Sequence, residues 1–527
     1  MSFISLYFLL FVAVVITVYF VTPKRFRWIV LLVASYIFYL VNDLRAVAFI
    51  VLTTLSTYLA TRLMKSWTEK QKNLFSEKDQ EWLDANKKDF QKQLKKKKKL
   101  LLIFTLLFNF GILFMLKYFS TLADGFANLI GVTPLGLEIL LPLGISFYIF
   151  QSISYLVDVY WGKVDPEKNI FKFAVFISFF PQLIQGPISR YNQLAPQLLN
   201  GNDFKLQNLK SGLLLMLWGY FKKLVIADRA NILYESIMQN YAVYQGPEIV
   251  LGMLCYVLKL YCDFSGGIDI ARGTATCLGI NMVPNFERPF FAQSVGEYWR
   301  RWHMSLGDWM KDYVFYPITL SKGYSKFIKG CKKTFKSGVV SKAITSAIPT
   351  FIVFLLVGIW HGPNLTFVLF GIYNGIVIIT ENTINEFTKH KKAKKERSKF
   401  ARGFSIFLHW AITFIIVYFG KYLSAAPDVA TAFAWFAATF DIHSFSTLFG
   451  NIFNQPDFTN TNFTILGLAT AFLIFIEVMQ ERGAKIREWI LGRKTIWQWV
   501  IFYVAIILII LLTAYDGSTG GFAYEQV

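Results

Sequence analysis

Residues 351–362 read FIVFLLVGIWHG. Extended back to residue 344, the run approaches the ~20 apolar residues that a helix needs to cross a bilayer. It stops on an imidazole, His361, followed at once by the helix breaker Gly362-Pro363. Similar stretches lie on both sides. Before it come residues 2–21, 28–41, 46–64, 100–119, 138–157, 171–187, 211–226 and 248–262; after it come 365–380, 404–423, 463–479 and 497–514. The reading is about a dozen membrane helices. An all-α, polytopic architecture follows, because backbone exposed to lipid must satisfy its own hydrogen bonds. The alternation of a membrane barrel is missing, and no internal repeat is visible. Residues 2–21 are read as a retained first span rather than a signal peptide, since no basic residue precedes them and no small-residue cleavage motif follows.

Composition agrees. The chain has 527 residues, 55% hydrophobic, 18% aromatic and only 17% charged, with a mean hydropathy of +0.44. Soluble domains carry about 25% charged residues and cannot hide this much apolar surface. An ordinary cytosolic enzyme, a disordered tail and a disulfide-stapled module are excluded. Cys255, Cys262, Cys277 and Cys331 contain no CxxC pair, so neither a disulfide framework nor a structural zinc site is expected.

The net charge of +21 belongs to loops. Residues 65–99 are polar and end in Lys95, Lys96, Lys97, Lys98 and Lys99; further basic clusters occupy 322–342, 389–402 and 482–494. Residues 120–137, 234–248 and 424–462 are poor in Lys and Arg. The positive-inside rule places the first set in the cytoplasm and the second outside. With acids and lysines at helical spacing, 65–99 reads as a cytoplasmic Lys-rich helical hairpin. Nothing accompanies the basic charge that suits nucleic acid.

Ionisable groups at bilayer depth are expensive and usually face a cavity. The densest set is in residues 287–317, ERPFFAQSVGEYWRRWHMSLGDWMKDYVFYP. At 3.6 residues per turn Arg301, Ser305 and Asp308 share a face, with Trp302 and Trp309 nearby and Asp312 one turn on. This reads as an amphipathic or re-entrant helix lining a wet cavity; an interfacial helix with snorkelling arginines fits the same pattern. His303 lies inside it. His361 is the second focus, toward the outer half of its span and beside Trp360. An imidazole titrates near neutral pH and can take a proton from a hydroxyl nucleophile, although a single membrane histidine is more often a packed, hydrogen-bonded residue. No metal is expected, for the chain has neither HExxH nor a His pair at i, i+4.

Two strings, RRWHMSL (300–306) and VGIWHG (357–362), resemble the membrane-bound O-acyltransferase (MBOAT) superfamily, closest to its bacterial alginate O-acetyltransferase membrane-subunit branch. LPLGISFYIFQSISYLVDVY (141–160), FFPQLIQGPISR (179–190), GYFKKLVIADR (219–229) and YCDFSGGIDIARG (261–273) fit in family order. The likeness covers roughly residues 1–420 and most of the remainder by span count. This chain has Tyr298-Trp299 where the branch commonly has Phe-Trp, and its 65–99 hairpin is longer than the branch leads one to expect.

The resemblance implies one MBOAT transmembrane domain over residues 1–527, with helices around a central tunnel and 65–99 as an insertion, in the bacterial plasma membrane. It puts the family's near-invariant histidine on His361 and a second on His303. The implied reaction is acetyl transfer from cytoplasmic acetyl-CoA to a hydroxyl of an extracytoplasmic polysaccharide or cell-wall glycan, through an extracytoplasmic acetyltransferase partner. His361 would act as general base, with His303, Trp302 or a backbone N–H stabilising the oxyanion. Arg301, Ser305, Asp308, Trp309, Asp312 and Trp360 are expected along the tunnel. D-alanyl transfer from a carrier protein to teichoic acid and peptidoglycan O-acetylation are the enzymatic alternatives. A transporter is the alternative outside enzymes, since polar residues within broken spans also mark that class.

Overall fold

The computed structural model describes residues 2–42, 44–133, 141–183, 185–244, 246–335, 337–388, 398–441 and 458–514. Among them every regular element is helical, apart from one antiparallel bridge between Phe286 and Trp302. They group into two compact units: Met1–Leu213 with Ala271–Val283, and Leu214–Ile270 with Pro284–Ala523.

The first unit contains α1 (Leu6–Val21), α2 (Arg27–Asn42), α3 (Leu44–Ser76), α4 (Gln80–Leu129), α5 (Ile145–Trp161), α6 (Ile170–Ser178), α7 (Phe180–Leu183) and α8 (Tyr191–Leu199). No glycine or proline interrupts residues 44–110, so α3 and α4 run on from apolar sequence into the polar 65–99 stretch. They meet at a turn over 77–79, closed by Phe90 against Phe75 (6.4 Å) and Trp82 (5.4 Å). Helix α5 is buried over most of its length. Gly144 starts it at φ 69°, where a Cβ would lie 1.9 Å from the Leu183 carbonyl oxygen; only glycine fits.

The expected span at 171–187 is broken between α6 and α7. Pro181 has no N–H to continue the ladder, and the Phe180 N–H is taken by Ser35 Oγ at 3.1 Å.

In chain order there follow α9 (Leu206–Tyr220), a π turn (Phe221–Ala227), α10 (Asp228–Gln239), α11 (Pro247–Cys277), α12 (Val295–Arg301), α13 (Met304–Met310), a second π turn (Lys311–Phe315), α14 (Tyr316–Thr319) and α15 (Lys322–Thr334). Then come α16 (Gly338–His361), α17 (Leu365–Thr388), α18 (Lys399–Ala425), α19 (Val429–Ala438), α20 (Asn460–Glu481), α21 (Ile486–Leu491) and α22 (Thr495–Ala514).

Helix α11 extends well past the end expected at residue 262. Its polar continuation is neutralised inside the second unit. Lys223 Nζ meets Asp263 at 2.7 Å and Asp228 at 2.8 Å; Lys222 Nζ meets Asp269 at 2.7 Å and Ser265 Oγ at 2.8 Å. The π turn puts both lysines on the α11 side. The helices touch at Gly219 and Gly266, where a Cβ on Gly219 would come within 2.6 Å of the Gly266 carbonyl oxygen. Small residues permit such close crossings in membranes.

Among the described residues eight helices are long and apolar enough to cross a membrane: those beginning at Val47, Gln80, Pro247, Gly338, Leu365, Phe400, Asn460 and Thr495. The larger number read from the sequence included stretches that form shorter helices: α1 and α2 have 16 residues each and α5 has 17.

Candidate active site

All of the site described here lies in the second unit. The expected helix over residues 287–317 is not continuous. Ser294 caps α12, its Oγ accepting the Glu297 N–H at 3.1 Å. The helix stops at Arg301; Trp302 is extended, and His303 is left-handed at φ 46°, ψ 51°. A non-glycine residue in that region costs about 1–3 kcal/mol and persists only where its surroundings hold it.

Residues 285–287 do the holding. The Glu287 N–H donates to the Arg301 carbonyl (2.9 Å), and the Met304 N–H to the Asn285 carbonyl (3.0 Å). The Asn285 side chain is fully buried, and its Oδ1 accepts both the Ser305 N–H (3.0 Å) and the Ser305 hydroxyl (2.8 Å). With the break at His303, Arg301 sits on α12 and Ser305 and Asp308 on α13. The shared face read from helical spacing does not form.

The same contact sets the histidine's tautomer. His303 Nδ1 lies 3.3 Å from Asn285 Oδ1. A backbone N–H can only donate, so the amide atom facing Ser305 is the oxygen, and Nδ1 must be the protonated nitrogen. Nε2 then carries the lone pair. The ring is 3% exposed, edge-on to Phe264 at 4.8 Å and 5.9 Å from Trp360. Burial pushes its pKa down to about 3, which favours the neutral imidazole.

His361 ends α16. Gly358 and Gly371 bring α16 and α17 together; a Cβ on Gly358 would lie 2.4 Å from the Phe367 carbonyl oxygen. The half-buried His361 ring stacks on Phe367 (5.9 Å) and meets Phe370 edge-on (6.1 Å). Trp360 is buried, with its ring 4.8 Å from His361. One indole therefore contacts both histidines.

Of the other expected residues, Trp302 is buried and stacked on Tyr298 at 5.6 Å. Ser305 is committed to Asn285. Arg301 is ion-paired, to Glu297 at 2.6 Å and Glu481 at 3.0 Å. Trp309 packs on Tyr313 at 5.3 Å; Asp308 is exposed and Asp312 half-buried. The structure brings together His303, Trp302, Ser305, Trp360 and His361, and engages Arg301 in an ion-pair set. His409 is exposed and bonded to Ser405 of its own helix. His390 and His443 lie outside the described residues, as does most of the basic cluster at 389–402.

Two residues escaped the sequence reading. Asn285 carries no signal of its own. Lys421 does: it is a lone cation in the apolar run 404–423. Its side chain is 3% exposed, and its Nζ lies 4.7 Å from the centre of the Trp302 ring and 5.3 Å from that of Phe370.

Comparison with known proteins adds the class. The family profile described as MBOAT, membrane-bound O-acyltransferase family, matches residues 167–330. The chain is 30% identical to the "Probable alginate O-acetylase AlgI" of Pseudomonas aeruginosa over 486 residues, 90% of this chain and 81% of the relative. It is 30% identical to the peptidoglycan O-acetyltransferase of Helicobacter pylori over 344 residues, 60% of each. It is 28% identical to the teichoic acid D-alanyltransferase of Bacillus subtilis over 285 residues, 53% of this chain and 68% of the relative. The protein is a multi-pass membrane enzyme that transfers acyl groups to oxygen. It belongs to the membrane-bound O-acyltransferase family, as the expected resemblance held.

Proposed function

We propose that the enzyme takes an acetyl group from acetyl-CoA at the cytoplasmic face of a bacterial plasma membrane. It passes the group to a hydroxyl of an extracytoplasmic polysaccharide or cell-wall glycan, with an extracytoplasmic acetyltransferase as partner. The convergence of His303, Trp360 and His361 carries this reading. The half-buried His361 accepts the proton of the attacking hydroxyl. The new C–O bond forms as the thioester carbonyl pair moves onto oxygen; collapse of that oxyanion breaks the C–S bond, and the thiolate leaves with the proton held by His361. His303 Nε2, an acceptor, orients the hydroxyl. Trp302, Trp360 and Ser305 line or brace this centre; Arg301, Asp308, Trp309 and Asp312 belong to the approach to it.

The relatives that act on alginate and peptidoglycan, both named for O-acetyl transfer, support an acetyl donor and a glycan acceptor. The teichoic acid D-alanyltransferase supports a second reading, D-alanyl transfer from a carrier protein. We further assign residues 1–527 to one MBOAT domain, with the 65–99 hairpin in the cytoplasm, where its lysines would attract CoA phosphates or an acidic carrier.

Purified protein in nanodiscs with labelled acetyl-CoA tests this. The expected result is release of free CoA with transfer of label to glycan. His361→Ala and His361→Gln should both abolish transfer, losing about 10²–10⁴ in rate, while insertion and folding remain intact. Transfer of label from D-alanyl carrier protein alone would establish the second reading. A well-folded His361→Gln enzyme with near-normal turnover would end the general-base assignment.

A further inference from the structure

Lys421 stands in membrane helix α18, buried, with its ammonium over two aromatic faces. Among the described residues no carboxylate pairs with it. This is an unusual way to keep a cation. Charges at membrane depth are costly and normally pair with one another or with backbone carbonyls. Of the other cations of this unit, Lys222, Lys223 and Arg301 each meet at least one carboxylate, while Lys259 lies over the Tyr234 ring at 5.4 Å. A snorkelling lysine at a helix end would run its stem along the surface with its ammonium in water. Lys421 instead points at Trp302 and Phe370, which belong to other elements.

Those two rings identify its surroundings. Trp302 immediately precedes His303, and Phe370 is the ring that His361 meets edge-on. The ammonium and the proposed general base thus share one aromatic neighbour. Cation–π contacts strengthen when desolvated, and these two hold the amine in place. The result is an amine held beside the acyl-transfer centre, where a positive charge on it acts strongly.

A positive charge there would serve acyl transfer. The tetrahedral intermediate carries a full negative charge on the former carbonyl oxygen, and His303, with its proton committed to Asn285, is an acceptor and does not supply the stabilisation. We infer that Lys421 is the electrophilic residue of this site: its ammonium faces the oxyanion formed when the acceptor hydroxyl adds to the acyl thioester. The inference rests on the acyl-transfer reading above. No proton leaves Lys421 during the step; it stabilises the oxyanion until the carbonyl reforms and the thiolate departs.

The test is Lys421→Met in the full-length protein in nanodiscs, assayed with labelled acetyl-CoA for kcat and KM and melted in parallel. Methionine keeps the stem and removes a buried charge that has no carboxylate partner, a change that scaffolds tolerate or profit from. The expected result is an unchanged or raised melting temperature, kcat lower by about 10²–10³, as when a single oxyanion donor is removed, and KM within a few-fold of the parent. Lys421→Arg, which keeps the charge, should recover a measurable part of kcat. Near-normal kcat in Lys421→Met overturns the inference. So does a loss confined to KM, which would make Lys421 a ground-state anchor, and so does unfolding of both variants, which would make it scaffold. If His361→Gln retains activity, the acyl-transfer centre itself is misplaced; if His361→Gln is dead while Lys421→Met is active, this inference alone fails.

Discussion

Asn285→Ala should uncouple the second histidine from its scaffold. The parent side chain is fully buried and its Oδ1 serves Ser305 N–H, the Ser305 hydroxyl and His303 Nδ1. Truncation leaves these donors facing a cavity. The Ser305 hydroxyl can rotate, and the imidazole can move its proton to Nε2, so those two adapt. The backbone N–H cannot, and a buried donor without a partner costs about 1–3 kcal/mol. His303 also sits at φ 46°, a strain of about 1–3 kcal/mol that the Asn285 contacts offset. A loss of about 1–3 kcal/mol is expected, at or above the about 1 kcal/mol typical of a point substitution.

The functional loss should exceed the loss of stability. Once the imidazole is free to carry its proton on either nitrogen, and to leave the left-handed conformation, Nε2 is no longer a fixed acceptor. The variant should melt several degrees below the parent, and the fraction that remains folded at 20 °C should turn over at least ten-fold more slowly. Asn285→Asp is the informative partner. Its carboxylate accepts the same donors, so the fold is kept, but it favours the protonated imidazole and should make activity fall at acid pH where the parent's does not. Thermal melts in detergent and initial rates across pH 5–8 measure both. Parent-like stability in Asn285→Ala, or parent-like rate per folded molecule, would refute the clamp.

Three further outcomes are expected. His303 is neutral when folded and gains its proton only near pH 3, whereas in the unfolded chain it titrates near about 6.5; between those values the unfolded state binds more protons, so its stabilising contribution is full above about pH 6.5 and is lost as pH falls through that window. Melting temperature should decline from pH 6.5 to 5, and His303→Asn should flatten that slope. Lys223→Met strands the carboxylates of Asp263 and Asp228, each within 2.8 Å of the parent ammonium; breaking a buried pair from one side costs about 3–5 kcal/mol, so folded protein should be largely lost, and adding Asp263→Asn should recover part of it in size-exclusion yield. A single cysteine placed at residue 77, in the turn between α3 and α4, should resist an impermeant thiol reagent in intact cells and react once the membrane is opened; labelling from outside would reverse the orientation.

What the sequence disclosed depended on how local the cause was. Helix α16 could be read because its apolar run, its stop at Gly362-Pro363 and its histidine lie together in one segment. Helix α11 could not be read to its end, because Asp263, Gly266, Gly267 and Asp269 look like terminators until Lys222 and Lys223 arrive from a π turn some forty residues earlier to neutralise them. The single helix drawn through residues 287–317 failed for the same reason. Its periodicity was sound on each side of His303, but the break is imposed by Asn285, eighteen residues away.

Lys421 shows the converse, since a rule available from sequence would have found it. The cations of this unit differ in their partners. Lys222, Lys223 and Arg301 are neutralised by carboxylates of the same chain, and so hold helices together without having charge to offer a substrate. Lys421 is held by ring faces, which fix its amine in space with no carboxylate beside it among the described residues. A scaffold gains nothing from such a residue, because an apolar side chain would pack there at lower cost. A reaction that builds negative charge beside His361 gives that arrangement a use, and addition of a hydroxyl to an acyl thioester is such a reaction.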